Sequence, residues 1–342
     1  MKINKKTGFT LIAGQLLAAG ILGSAAFFLM CRPLAGEKAG TLYVDTDDTA
    51  DSVFFKLETQ LHARHLTGIR LLASCKDYGQ QIHTGAYRFT PDERAWQIFN
   101  RLRGGHQTPV RLTIGSVRTL DRLAHNVSRQ IMADSSSIAR LLADTAYVSR
   151  LGYNTCTLPT LFIPNTYEVY WNMTAEEFIA RMQKEHDRFW TPQRKALADS
   201  IGLTPAEVAT LASIVDEETA NTKEKPVVAG LYLNRLKVGM PLQADPTIKF
   251  SLQDFGLRRI LYKHLEVESP YNTYKYAGLP PGPIRIASIQ GMESVLNYAR
   301  HDYLYMCAKE DFSGTHNFAS TLAEHSRNAQ RYQKALNRRN VH

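Results

Sequence analysis

An unbroken apolar run near the start of the chain limits what this sequence can fold into more than any other feature. Residues 8–30 contain only three polar side chains, Thr10, Gln15 and Ser24. A helix of about 20 residues crosses the ~30 Å hydrocarbon core of a bilayer, so this run is long enough to span a membrane. It has no polar face, which argues against a buried helix of a soluble domain. We therefore predict a transmembrane helix over residues 8–30.

The charges that precede this run predict its orientation. Lys2, Lys5 and Lys6 lie before it, and positively charged flanks stay in the cytoplasm. We expect a cytoplasmic tail over residues 1–7, a single pass through the inner (cytoplasmic) membrane and an extracytoplasmic remainder. A cleaved signal peptide is the alternative. Its apolar region usually has only ~7–15 residues and ends at a small-residue cleavage site, whereas this run is longer and has no good site after it.

The composition narrows the classes of partner. The chain has 342 residues, enough for two domains, and a net charge of +9, which favours anionic partners such as nucleic acid, a membrane surface or an acidic polymer. Zinc-finger spacing and arginine-rich tracts beside aromatics are missing, so we do not expect nucleic acid. The sequence has no metal-ligand cluster and no nucleotide-binding loop, and we expect no cofactor.

The four cysteines are widely spaced and form no CxxC pair. This spacing argues against a disulfide framework and against a structural zinc site. We expect buried free thiols, while a disulfide between Cys75 and Cys156 stays open.

Short alternating segments predict a small α+β module over residues 41–132, after a linker over 31–40. Nothing in this module looks catalytic, so it is either a spacer or a glycan-binding module. A second α+β domain is expected over residues 133–342. The predicted elements of the module are strands at Thr41–Asp45, Gly85–Phe89 and Val110–Ile114, and helices at Asp51–Ala63, at Ile69–Cys75, from Thr90 to Gly104 and from Thr119 onward.

A capped helix in the second domain ends in three consecutive acids. Residues 204–207 read Thr-Pro-Ala-Glu, a capping box with proline in the first turn. Apolar residues then recur at steps of three and four, which defines one buried face. At about 100° per residue, Glu218 borders that face, Glu217 points toward solvent and Asp216 lies on the other flank.

The position of Glu218 suggests acid catalysis. A carboxyl held against apolar walls is desolvated, which raises its pKa and keeps it protonated near neutral pH. A protonated carboxyl can donate to the leaving oxygen of a glycosidic bond. Pairing with a nearby arginine or capping of a loop would explain the same position without any catalysis.

Four sequence blocks in order resemble the MltG-type (YceG-like) endolytic murein transglycosylases. They lie between Ala212 and His325, and the first differs from the family pattern in having Asp216 instead of glutamate. The blocks are Ala212-Ser213-Ile214-Val215-Asp216-Glu217-Glu218-Thr219, the run Leu233–Thr247 (LNRLKVGMPLQADPT), Ser269–Tyr274 (SPYNTY) with Gly278–Ile284 (GLPPGPI), and Tyr303–Tyr305 with His316–Phe318 and Leu322–His325.

This resemblance implies a specific reaction. Such enzymes cleave the β-1,4 bond between N-acetylmuramic acid and N-acetylglucosamine within nascent peptidoglycan strands and leave a 1,6-anhydro end, so they are lyases and terminate glycan elongation. Glu218 matches the catalytic acid of the family. The resemblance also implies a LysM-like module before the catalytic domain and peptidoglycan synthases as partners. A water-using muramidase and a non-catalytic glycan-binding scaffold are the alternatives.

Other residues in these blocks suit sugar recognition. Their amides, hydroxyls and ring faces match the hydroxyl and acetamido groups of a glycan. Each has a structural alternative, such as an amide that bonds a loop backbone or a tyrosine in the core. We assign Asp245 a supporting role, because its Asp-Pro-Thr setting suggests a turn, and His316 either contacts the acid or a sugar or is structural. The candidate substrate-binding residues are Asn234, Gln243, Asp245, Tyr271, Asn272, Thr273, Tyr274, Tyr305 and His316.

Overall fold

The computed structural model describes residues 5–34 and 39–338, with side chains from residue 13 onward. The first four residues of the predicted cytoplasmic tail, and residues 35–38 of the predicted linker, lie outside the described residues. The chain divides into two compact units. Unit 1 is Met1–Leu112, Gln130–Met132 and Glu168–Met173, and unit 2 is Thr113–Arg129, Ala133–Tyr167 and Thr174–His342. A domain boundary at residue 132 stays a prediction.

The apolar run forms one long helix, α1 (Lys5–Cys31). Within the described residues, its segment Ala13–Cys31 is the one stretch long and apolar enough to cross a membrane. Large side chains such as Leu16 and Phe27 are each 69% exposed. The predicted helix is therefore confirmed, with a length and composition that fit a single membrane span.

Unit 1 is a small mixture of helices and strands. Strand β1 (Gly40–Val44) pairs antiparallel with β2 (Gly85–Phe89), from Gly40 opposite Phe89 to Val44 opposite Gly85. Alternate β1 residues, Leu42 and Val44, are fully buried, as expected for a sheet with one face on the core. The helices of this unit are α2 (Ala50–Gln60), α3 (Thr67–Cys75) and α4 (Ala95–Arg103).

The predicted start of α4 at Thr90 is wrong by about one turn. The hydroxyl of Thr90 lies 3.3 Å from Oε1 of Glu93 instead of capping a backbone N–H. The helix begins at Ala95, where Oε1 of Gln97 accepts the N–H of Arg94 at 2.9 Å. The other predicted elements of the module are found within a few residues of their expected bounds.

Strand β3 (Val110–Thr113) follows α4 and pairs with β4 (Thr166–Val169) in a second two-stranded sheet. The third sheet pairs β5 (Tyr305–Ala308) antiparallel with β6 (His316–Ala319). The helices after β3 are α5 (Leu120–Ser128), α6 (Ser135–Ala143), α7 (Thr145–Arg150), α8 (Ala175–Phe189), α9 (Pro192–Ser200), α10 (Pro205–Glu218), α11 (Lys225–Lys237), α12 (Asp245–Leu252), α13 (Tyr262–Leu265), α14 (Ile289–Leu296) and α15 (Leu322–Arg338). This mixture confirms an α+β fold.

Helix α10 lies at the centre of unit 2. Its capping box is formed as predicted, with Thr204 accepting from the N–H of Glu207 and Glu207 accepting from the N–H of Thr204. Every residue from Val208 to Val215 is buried, and the helix packs against α11 and α14. The helix is therefore buried on all sides rather than on one face, and it carries its terminal acids to a fixed position.

All four cysteines are free, and none is fully buried. The expectation of free thiols agrees with this structure, whereas the expectation of burial is wrong.

Candidate active site

The three acids at the end of α10 have separate partners. Asp216 forms an ion pair with Nζ of Lys225. Its other contacts are with Ser288, whose N–H and O–H donate at 2.7 and 2.8 Å. The side chain of Asp216 is only 3% exposed, so this carboxylate is buried with a full set of donors.

Glu217 does not face solvent, and the prediction that it does is wrong. Its side chain is 12% exposed and lies between two arginines. Arg118 donates through two nitrogens at 2.8 and 2.9 Å, and Arg285 donates at 2.9 Å. Burial alone would raise the pKa of Glu217, but the hydrogen bond from Arg118 and the charge of Arg285 outweigh it and lower the pKa below its usual value.

Glu218 has a neutral partner instead. The hydroxyl of Tyr232 donates to its Oε1 at 2.8 Å. The residue is half-buried, and the protein atoms packed around its carboxyl have the largest influence on its pKa. Burial raises the pKa of Glu218 to about 7 even though the Tyr232 hydrogen bond lowers it. The nearby charge of Asp245 raises this pKa further, and those of His316 and Arg235 lower it.

Two residues of this site come from α11 and were missed by sequence reasoning. Tyr232 and Arg235 are three positions apart, which places them on one face of the helix. Arg235 is 8% exposed, and its Nε donates to the carbonyl of Leu304 at 2.6 Å. Its guanidinium lies 5.9 Å from the ring centre of Tyr305. The available signals were their one-turn spacing and their place in the sequence, since Arg235 lies within the block that begins at Leu233 and Tyr232 directly precedes it.

Asp245 and Tyr274 form a second polar group near Glu218. The hydroxyl of Tyr274 donates to Oδ1 of Asp245 at 2.5 Å. Asp245 is exposed and begins helix α12, so the Asp-Pro-Thr segment opens a helix rather than a turn. Both residues act electrostatically on Glu218 or its neighbours, and their role in substrate binding stays a prediction.

His316 pairs with another acid, Glu224. Oε1 of Glu224 accepts the N–H of His316 at 2.7 Å, and Oε2 lies 3.0 Å from its ring Nδ1. Oε2 also accepts the hydroxyl of Thr219 at 2.8 Å. Glu224 is 8% exposed. This cluster fastens the loop after Glu218 to strand β6.

Several of the other candidates have structural contacts, and sugar binding by them stays a prediction. Asn234 donates to the carbonyl of His301 at 2.7 Å, and the fully buried Asn272 donates to that of Leu265 at 2.8 Å. Thr273, also buried, accepts the N–H of Ala244 at 3.0 Å.

The remaining candidates differ in how accessible they are. The ring of Tyr271 packs 4.7 Å from that of Phe250. Tyr305 is half-buried and stacks on His325 at 5.4 Å. Gln243 is exposed and has a left-handed backbone with φ of 49°. Tyr305 and Gln243 therefore keep surface that a sugar could contact.

Two cavities of about 710 and 430 Å³ are lined entirely by residues of unit 1 and contain none of these side chains. Cavity volume therefore does not identify the site. The chemistry of Glu218 and its neighbours is the stronger guide.

The comparisons with known proteins agree with the sequence blocks. The model of the YceG-like family matches residues 42–331. An endolytic murein transglycosylase of Bacillus subtilis is 40% identical over 131 residues, which cover 38% of this chain and 36% of the relative. An endolytic murein transglycosylase of Streptococcus pneumoniae is 30% identical over 353 aligned positions, covering 94% of this chain and 63% of the relative.

This chain therefore spans less than two thirds of the length of each of these curated relatives. Among solved structures, a YceG-like protein from Listeria monocytogenes is 25% identical, with a TM-score of 0.55 over 85% of this chain and 99% of that one. The family match covers most of the chain, and the predicted resemblance is confirmed: this protein belongs to the YceG-like family.

Proposed function

We propose that this protein is an endolytic murein transglycosylase, a lyase that cleaves the β-1,4 bond between N-acetylmuramic acid and N-acetylglucosamine in peptidoglycan. The names of the relatives from Bacillus subtilis and Streptococcus pneumoniae support this assignment. The observation that carries it in this chain is the carboxyl of Glu218, which burial holds at a pKa of about 7 beside a neutral donor.

One carboxyl with this pKa can serve in both halves of the reaction. Protonated Glu218 donates to the glycosidic oxygen as the C1–O bond breaks, and becomes a carboxylate. The 6-hydroxyl of the muramic acid then attacks C1, forms the anhydro ring and returns its proton to Glu218. The reaction consumes no water, so it requires no second carboxylate at the separations found in hydrolases.

The neighbouring acids are poorly suited to this role. Asp216 is bonded to Lys225 and Ser288, and the arginines that pair with Glu217 lower the pKa of that carboxyl. Glu218 differs because Tyr232 supplies a hydrogen bond without a charge. It is therefore the acid of this group that can hold a proton at neutral pH.

The proposed location follows from helix α1. It would anchor the chain by a single pass in the inner membrane, with the lysines at its start in the cytoplasm and the residues after α1 outside. Unit 1 would then act as a LysM-like glycan-binding module, and its order β1, α2, α3, β2 with the two strands paired supports this role. Cleavage close to the membrane would end the growth of nascent strands and would place peptidoglycan synthases among the partners.

The test is digestion of purified sacculi by the detergent-solubilised full chain, compared with its Glu218→Gln variant. We expect the wild type to release fragments with 1,6-anhydro-muramyl ends in mass spectrometry and the variant to lose at least about 10²-fold in rate. Glu207→Gln on the same helix is the matched control, because glutamine also completes a capping box, and it should keep full activity.

Each of the other results would count against the proposal in its own way. Fragments with reducing ends alone would indicate a muramidase that uses water. Equal digestion by wild type and Glu218→Gln would remove Glu218 from the mechanism. Binding of sacculi without any digestion would indicate a scaffold.

A further inference from the structure

The hydroxyl of Tyr232 is buried and hydrogen-bonded to the carboxyl of Glu218. Tyr232 is 1% exposed on α11, and the only hydrogen bond that its hydroxyl makes within the described residues is the one to Oε1 of Glu218, at 2.8 Å. A buried hydroxyl without a partner is destabilising, because it has lost its hydrogen bonds to water and gained none from the protein. This bond is therefore a strong restraint on the Glu218 side chain.

The second oxygen of the same carboxyl is in a different position. Oε2 of Glu218 accepts no hydrogen bond from residues 5–34 or 39–338. Oε2 is also not fully buried. The fully buried side-chain atoms that lack a hydrogen-bond partner in that part of the chain belong to Tyr78, Glu93, Gln107 and His325. Oε2 therefore keeps some accessible surface and a free acceptor, whereas Oε1 is bonded to the protein.

We propose that Tyr232 is a positioning residue which, by holding Oε1, makes Oε2 of Glu218 the oxygen that exchanges protons with the glycan. This inference rests on the function proposed above and adds to it the choice of oxygen. Tyr232 does not touch the reacting atoms and acts through Glu218 alone.

The choice follows from the hydrogen-bonding capacity of each group. The Tyr232 hydroxyl has a single proton, and donating it leaves Oε1 as the acceptor in both protonation states of Glu218. In the acid form the carboxyl proton then lies on Oε2. That proton passes from Oε2 to the glycosidic oxygen as the C1–O bond breaks, and the proton of the attacking 6-hydroxyl returns to Oε2, so the acid is regenerated.

Tyr232 cannot replace Glu218 as the acid. Burial, together with the adjacent Glu218, raises the pKa of Tyr232 well above its usual value, so the hydroxyl keeps its proton throughout the reaction. The other groups that interact electrostatically with Glu218 are Asp245, Tyr274, Arg235 and His316. None of these four donates a hydrogen bond to Oε1 or Oε2.

The test is Tyr232→Phe in the full chain. Cleavage by the wild type should fall as the pH rises through about 7, because Glu218 loses its proton. The Tyr232 hydrogen bond lowers the pKa of Glu218, so in Tyr232→Phe this fall should move to higher pH. The rate at low pH should decrease by about tenfold, because a less constrained carboxyl spends less time aligned with the glycosidic oxygen.

A spectroscopic measurement gives a readout that does not require activity. In pH-difference infrared spectra, the carbonyl stretch of protonated Glu218 should shift to higher frequency in Tyr232→Phe, because its Oε1 carbonyl loses a donor, and should disappear in Glu218→Gln. Tyr167→Phe is the matched control. Tyr167 is also buried, but its hydroxyl donates to the carbonyl of Ile163 at 2.6 Å, so its loss tests tyrosine removal in the same unit without affecting Glu218.

The outcomes separate this inference from the proposed function. A Tyr232→Phe protein with unchanged pH profile, rate and infrared band would overturn the inference while anhydro ends from the wild type still support the function. A wild type that releases no anhydro ends overturns the function, and the infrared band then still decides whether Tyr232 holds Oε1. A rate loss of equal size in Tyr167→Phe, without any pH shift in either variant, would reduce Tyr232 to a packing role.

Discussion

Asp216 and Glu217 differ from Glu218 in what holds them, although all three end the same helix. The first two form an ion-paired side, in which Lys225, Arg118 and Arg285 supply positive charge. We call the surroundings of Glu218 the acid side, because its partner there is the neutral hydroxyl of Tyr232. All three carboxyls are partly or fully withdrawn from solvent. The partners of the three carboxyls therefore differ in charge, because the first two are bonded to cations and Glu218 is bonded to a neutral hydroxyl.

The pKa shifts of neighbouring residues show how much this difference matters. Burial pushes the pKa of Glu217 and of Glu218 upward, and it is the largest influence on both. Two arginines reverse the direction for Glu217, whereas one tyrosine does not for Glu218. Two adjacent carboxyls of one helix can therefore differ, one ionised and one protonatable, when other elements supply cations to the first and a neutral donor to the second.

The largest expected effect on stability comes from removing a cation on the ion-paired side. Lys225→Met keeps the length of the side chain but leaves Asp216, whose side chain is 3% exposed, without its positive partner. Breaking a buried ion pair from one side costs about 3–5 kcal/mol in the free energy of unfolding. Urea unfolding of the detergent-solubilised chain, followed by circular dichroism, measures this loss.

Lys223→Met is the control for that change. Lys223 lies two residues earlier and is exposed, so the same substitution there should alter the free energy of unfolding by less than about 0.5 kcal/mol. Equal losses in the two variants would mean that the pair between Lys225 and Asp216 adds nothing beyond a surface charge.

A smaller effect, with a pH dependence, is expected on the acid side. The folded protein keeps the proton of Glu218 up to a pH of about 7, whereas the unfolded chain releases it near 4.5. Between these values the folded state binds more protons, so rising pH lowers the stability of the wild type. Glu218→Gln lacks this loss, and its stability relative to wild type should increase by on the order of 2 kcal/mol from about pH 5 to about pH 8, reduced from the full shift because the residue is half-buried.

Glu217→Gln should change the pH dependence of stability in the opposite direction. The pKa of Glu217 is lowered in the folded state, so its charge stabilises the protein above the unfolded value of 4.5 and that contribution is lost as the pH falls through the folded pKa. This variant should therefore be less stable than wild type at about pH 8, with the gap closing toward acid pH. If Glu217→Gln and Glu218→Gln shifted stability in the same direction at both pH values, the comparison of the two sides would fail.

Local signals in the sequence predicted much of the fold. The helix predicted from Thr119 begins at Leu120 with Thr119 as its cap, and the helix start at Thr204 is where its capping box indicates, because a capping bond joins residues only three positions apart. The predicted helix start at Thr90 was wrong because a local cap pattern can also occur in a turn. Thr90, Pro91 and Glu93 match the cap pattern, but the chain forms a turn there, and the helix begins at Ala95.

The site was less accessible to sequence reasoning because its partners are distant along the chain. A helical projection assumes that the face away from the core meets water, but α10 is surrounded, and Glu217 meets arginines 99 and 68 residues away. Tyr232 lies 14 residues from Glu218 on the next helix, and helix periodicity does not predict which residues of two helices meet. Glu218 itself could be selected because it matches the catalytic acid in the first of the blocks that resemble the family, whereas the helix pattern alone left ion pairing or capping open.

The smallest expected effect tests whether Asp245 influences Glu218 only through its charge or takes part in the reaction itself. Asp245 is exposed, and its charge raises the pKa of Glu218, so Asp245→Asn should move the fall of cleavage to slightly lower pH and leave the maximal rate nearly unchanged. The effect is small because solvent screens an exposed charge. Asp254→Asn, a change in another exposed acid just after α12, should leave the pH profile unaltered. A loss of about 10²-fold or more in Asp245→Asn would instead make Asp245 a second catalytic carboxylate, and Glu218 could then no longer be the single acid of the reaction.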